Sequence, residues 1–127
     1  MGKYSYGMLV YQPPGLKPRR FLFYDAFPKN SGVQEVVGLR GFPTTIAERH
    51  KKLFANTDTR IVTDATYASL EDLVKIHANV PESREGLKHL LTDIVQSAQS
   101  LTKLGMTNVN LIIWKVEHVK HRQTEIL

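Results

Sequence analysis

Apolar and polar side chains alternate from Tyr4 to Tyr11, where Tyr6, Met8 and Val10 are interleaved with Ser5, Gly7 and Leu9. A period of two with tyrosine and valine predicts a β-strand. Pro13, Pro14 and Gly15 stop it, and Pro18 blocks early resumption. A second strand is expected over Arg20–Phe27, with Phe21, Phe23 and Phe27 on one face and Leu22 and Tyr24 on the other. Pro28 ends it. The two strands should pair as an antiparallel hairpin across the loop Pro13–Arg19. Val33–Leu39 reads as a short third strand.

The period then changes. Thr45 and Glu48 form a capping-box pattern ahead of Ile46, Leu53 and Phe54, which predicts a short helix over Thr45–Phe54. Arg60–Thr63 reads as a short strand. Ser69 and Asp72 form a second capping box, opening a helix that runs to about Ala78. The longest periodic segment is Glu82–Leu104. Leu87, Leu90, Leu91, Ile94, Val95, Ala98, Leu101 and Leu104 recur there at spacings of three and four, one stripe of a helix. Pro81 suits its first position, and Gly105 the position past its end. Val109–Val119 is the last strand. Val109, Leu111 and Ile113 face one way and Ile112, Trp114 and Val116 the other, so both faces are apolar and the strand belongs inside its sheet.

Strands first, then helices, then a strand predict an α+β fold. The expected architecture is an antiparallel or mixed sheet of four or five strands. The N-terminal hairpin and the central C-terminal strand belong to it, packed by one long and two short helices. A chain of 127 residues and 14.4 kDa holds one domain, with a frayed tail expected from about Lys120.

Charge adds an asymmetry. Lysines and arginines number 17 against 12 acidic residues, a net +5. Residues 1–60 carry +6, residues 61–114 carry −2 and the last thirteen +1. Such a dipole attracts polyanions to one end and favours self-association. Cysteine is absent, which removes disulfides, thiolate metal sites and cysteine nucleophiles and fits a reducing, cytoplasmic location. Hydrophobic residues make up 42% and charged ones 23%, an ordinary globular composition. No apolar run reaches membrane-spanning length. Met1–Tyr11 has no cleavage site of the secretory type.

The chemistry-bearing residues find bland explanations. His118 and His121 are three apart, but on a strand an odd offset sends them to opposite faces. His50, His77 and His89 stand singly, so no metal or other cofactor is expected. Asp58, Asp64 and Glu71 lack an evident partner, and Asp72 is explained as a cap. No serine sits in a nucleophile elbow, and no catalytic residue is assigned. Gly38-Leu39-Arg40-Gly41 is a bare Gly-x-x-Gly loop. In KH domains such a loop joins two helices and clamps a nucleic-acid backbone. Here it follows an expected strand and Pro43 precedes the next helix, so a plain tight turn is favoured over an anion cradle.

Two functions from different classes remain. The first is a non-catalytic binding or assembly protein, a homo-oligomer or the partner of another protein. It would use an exposed sheet edge or the uncharged helix face Gln96, Ser97, Gln99 and Ser100. The alternative is a module that binds RNA, DNA or a nucleotide through Lys17, Arg19, Arg20, Arg40, Arg49, Lys51 and Lys52, with tyrosines of the hairpin as stacking platforms.

Overall fold

The alternating N-terminal segment forms β1 (Lys3–Gln12) in the computed structural model, which describes residues 3–46 and 60–118. Along the chain follow β2 (Arg19–Tyr24), α1 (Val33–Val37), β3 (Arg60–Ser69), α2 (Leu70–Asn79), α3 (Glu85–Lys103) and β4 (Thr107–His118). The four described strands make one sheet in the order β2-β1-β4-β3, and every pairing is antiparallel. The expected α+β class is therefore present, with a central C-terminal strand and a long helix. The expected helix Thr45–Phe54 lies outside the described residues beyond Ile46, as does the tail.

Helix α3 owes its place to its stripe. Leu87, Leu91, Ile94, Ala98 and Leu101 are buried at spacings of four, three, four and three. They meet Leu9, Ala68, Leu111 and Ile113 of the sheet in one cluster. Leu104 was expected to extend the stripe, but it sits at the C-cap and is 72% exposed. The helix starts at Glu85 because Pro81–Arg84 forms a turn, closed by the Arg84 N–H donating to the Pro81 carbonyl at 3.0 Å. Helix α2 begins as its sequence requires. The Ser69 hydroxyl accepts from the Asp72 N–H at 3.2 Å, and the Asp72 carboxylate accepts from the Ser69 N–H at 3.1 Å.

The opposite face of the sheet is also a core. Met8, Val10, Ile112, Trp114 and Val116 are buried there with Ile46. Trp114 has Tyr6, Phe23 and Phe42 around it at ring-centroid distances of 5.9, 6.3 and 6.1 Å. Alternate residues of β1 and β4 thus feed two apolar layers, the pattern of strands covered on both sides.

Two local expectations are corrected. Val33–Val37 is a helical turn and not a strand. Val33, Val36 and Val37 are spaced three and four apart, and Gly32 and Gly38 bracket the turn at φ 91° and 72°. Periodicity and glycine brackets outweigh the strand propensity of valine over so short a span. The second correction concerns β2, which ends at Tyr24 and is irregular. Its pairing with β1 skips Phe21 between Leu22 and Arg20. This bulge turns Phe21 to the helix side, where its ring meets Tyr11 at 6.2 Å, beside Leu22 and away from Phe23.

Phe27 lies beyond β2 and crosses over Gly7. Its N–H donates to the Ser5 carbonyl at 2.8 Å. A Cβ added at Gly7 would lie 2.7 Å from Phe27 Cδ1. Gly7→Val is expected to destabilise the fold by about 1–3 kcal/mol in urea denaturation, the cost of overpacking. A loss below about 0.5 kcal/mol would show that the ring moves aside freely.

Candidate functional site

The two edges of the sheet differ in kind. At β3 the chain covers its own edge around Ala65 and Thr66. The Gly41 N–H donates to the Ala65 carbonyl at 2.9 Å, and the buried Thr66 hydroxyl donates to the Gly38 carbonyl at 2.6 Å. The Thr66 oxygen also accepts from the Arg40 N–H at 3.1 Å. The Gly38–Gly41 loop therefore spends its inward N–H groups on β3, and follows a helix in place of the expected strand. The loop serves as a cover for this part of the strand.

Arg40 is engaged in the same region. Its Nη1 donates to the Tyr67 carbonyl at 3.2 Å and to the Asp72 carboxylate at 3.1 Å. Its guanidinium carbon lies 5.3 Å from the Tyr67 ring centre. Partial burial alone would raise the Asp72 pKa. Hydrogen bonds from the Ser69 backbone, Arg40 and the Ser69 hydroxyl, with the Arg40 charge, outweigh it and hold the carboxyl below its ordinary value. A depressed folded-state pKa gives stability that is present above the unfolded pKa and lost as pH falls through the folded one. Acid titration of stability is therefore expected to show a component below the usual carboxylate range that Asp72→Asn removes. An unchanged acid profile in that variant would contradict the assignment.

The other edge is bare. Strand β2 pairs only with β1 among the described residues, and its residues are exposed from Arg19 to Phe23. Phe21, Leu22 and Phe23 are 45%, 42% and 42% exposed. Leu16 in the preceding loop is exposed as well. Among the described residues, the remaining exposed large hydrophobics, Leu39, Val74 and Leu104, lie apart from one another in sequence. An unpaired strand with exposed aromatic residues is a template for another strand.

The expected binding residues fall in three places. Lys17, Arg19 and Arg20 come together at this bare edge, and the Arg20 guanidinium carbon lies 5.8 Å from the Phe23 ring centre. Arg40 sits beyond the other edge, across the four-strand width. Arg49, Lys51 and Lys52 lie outside the described residues. Gln96, Gln99 and Ser100 are exposed and Ser97 is half-buried on the outer surface of α3, in the helix layer.

The sequence marks Phe21-Leu22-Phe23 as a strand of the hairpin but carries no statement of which side of the sheet lacks a neighbour, so the exposure of the run comes from the structure. The signal that marks it as an edge was Arg19-Arg20 at its start, since charged residues are a common edge device. Among the described residues, no helix is long and apolar enough to cross a membrane. No group of three or more metal-ligating side chains is present there. No protein-family model, curated protein or solved structure matches this chain.

Proposed function

We propose that this protein is a non-catalytic assembly module that pairs with a second copy of itself along β2. The bare, aromatic edge of β2 carries the proposal. The strand reads Arg19-Arg20-Phe21-Leu22-Phe23-Tyr24, basic at one end and aromatic at the other. Antiparallel pairing about a two-fold axis sets the arginines of each copy beside Phe23 and Tyr24 of the other. Parallel pairing would stack arginine on arginine. Cation–π attraction favours the first arrangement, and the Arg20–Phe23 contact within one chain already shows the two groups in reach.

The bulge supports the same pairing. Phe21 and Leu22 lie on one face, so four apolar side chains of two copies meet near the axis. The Gly38–Gly41 loop occupies the β3 edge at Ala65 and Thr66, and an isologous pair along β2 closes on itself. Light scattering across a concentration series is the test. A mass rising from one chain to two, with weak salt dependence, is expected. A monomer at every concentration that retains RNA or DNA steeply with falling salt would replace this function with the nucleic-acid one.

A further inference from the structure

A separate cleft of about 150 Å³ lies on the helix side of the sheet, between α1, the Phe27–Ser31 turn and the β3 bulge. It holds groups of both signs: Lys29 and Lys115 on one hand, Glu35 and Asp64 on the other. Phe27 and Ile113 give it an apolar wall. Convergent polar groups beside an apolar wall are the means by which a concave site orients a ligand.

The cleft is built, not accidental. Its lip is fixed at both ends: the Phe27 N–H bonds to the Ser5 carbonyl, and the Arg84 guanidinium donates to the Asn30 carbonyl and, at 3.3 Å, to the Lys29 carbonyl. Its far side is the β3 bulge between Thr63 and Thr66. There Asp64 adopts φ 54°, a conformation that costs a non-glycine residue energy and that collects at functional sites. A bulge re-aims a side chain, and here the re-aimed carboxylate borders the cleft. Asp64 Oδ2 and Lys115 Nζ are 3.6 Å apart and both partly exposed, a loose pair that a ligand separates at little cost.

We propose that this cleft binds a free α-amino acid with a small apolar side chain. The ligand ammonium faces Asp64 and Glu35, its carboxylate faces Lys115 and Lys29, and its side chain lies on Phe27 and Ile113. A cleft of about 150 Å³ has room for one benzene-sized group, which suits a small amino acid. Two opposite charge pairs favour a zwitterion over a simple anion or cation. The site is independent of pairing along β2.

The experiment is a titration of the full chain with free valine, followed by amide NMR shifts. N-acetylvaline and valine methyl ester, each lacking one charge, are titrated alongside. Saturable shifts at Asn30–Ser31, Asp64 and Ile113–Lys115 are expected with valine. Each blocked form should bind at least about tenfold more weakly, as loss of a charge-assisted contact implies. Asp64→Asn and Lys115→Met should weaken valine to the same degree while α3 resonances stay in place. Absence of saturable shifts up to about 10 mM valine, far above a millimolar site, would overturn the proposal. Equal binding of the blocked forms would overturn it too, and that comparison requires no variant to fold. A chain with a disrupted β2 edge should give the same titration, so failure of pairing and failure of ligand binding are told apart.

Discussion

The double variant Phe21→Lys, Leu22→Lys is expected to be a monomer at concentrations where the parent chain is paired. Both residues are exposed in the single chain, so stability of the fold should change by no more than about 1 kcal/mol. In the pair they lie nearest the two-fold axis, so the substitution removes the central apolar anchors. It also brings four ammonium groups together where like charges oppose across strands. Loss of central anchors alone costs about 2–4 kcal/mol in interfaces of this kind, a weakening of about thirtyfold to a thousandfold. Sedimentation velocity reads the change directly. A matching pair of substitutions on α3, Gln96→Lys with Gln99→Lys, should leave the association unchanged. If the α3 pair dissociates the protein and the β2 pair does not, the interface is the helix face.

The second large effect concerns the far side of the sheet. Trp114 is 1% exposed and central to the aromatic group of Tyr6, Phe23 and Phe42. Trp114→Ala is expected to cost about 3–5 kcal/mol, the sum of lost transfer energy and an unfilled cavity. Leu91→Ala, from the fully buried stripe of α3, should cost about 2–5 kcal/mol by the same reasoning. Comparable losses are the signature of a sheet with two cores. A Trp114→Ala loss under about 1 kcal/mol would mean that the second face is not a core at all. The tryptophan also supports Phe23 of β2, so this variant should weaken pairing in addition to folding.

Those two faces were legible in the chain. The strict alternation in Val109–Val116 puts Leu111 and Ile113 on one face and Ile112, Trp114 and Val116 on the other, and the structure divides them the same way, the first pair toward the helices. The Ser69–Asp72 capping box was equally direct, because it is chemistry between residues three apart. Features that depend on distant partners were not legible. Nothing local tells Phe21 that β1 lacks a residue to pair with it, so the bulge and the resulting face reversal were invisible. Asp64 ended the expected strand Arg60–Thr63, yet the strand continues to Ser69. It does so through a left-handed aspartate whose setting is made by β4 and α1. The Val33–Val37 turn was misjudged for another reason: propensity was weighed over spacing and glycine brackets. The candidate surface is half visible in the sequence: Lys17, Arg19 and Arg20 are close neighbours along the chain, whereas the bare edge beside them depends on which strands pair.

Isotope-filtered nuclear Overhauser measurements on a mixture of labelled and unlabelled chains probe the pairing most directly. Contacts between copies are expected from the Arg20 side chain to the Phe23 ring and from Phe21 to Leu22, with none to α3. Intermolecular contacts confined to Gln96–Ser100, or their complete absence in a sample whose mass is one chain, would contradict an assembly built on β2.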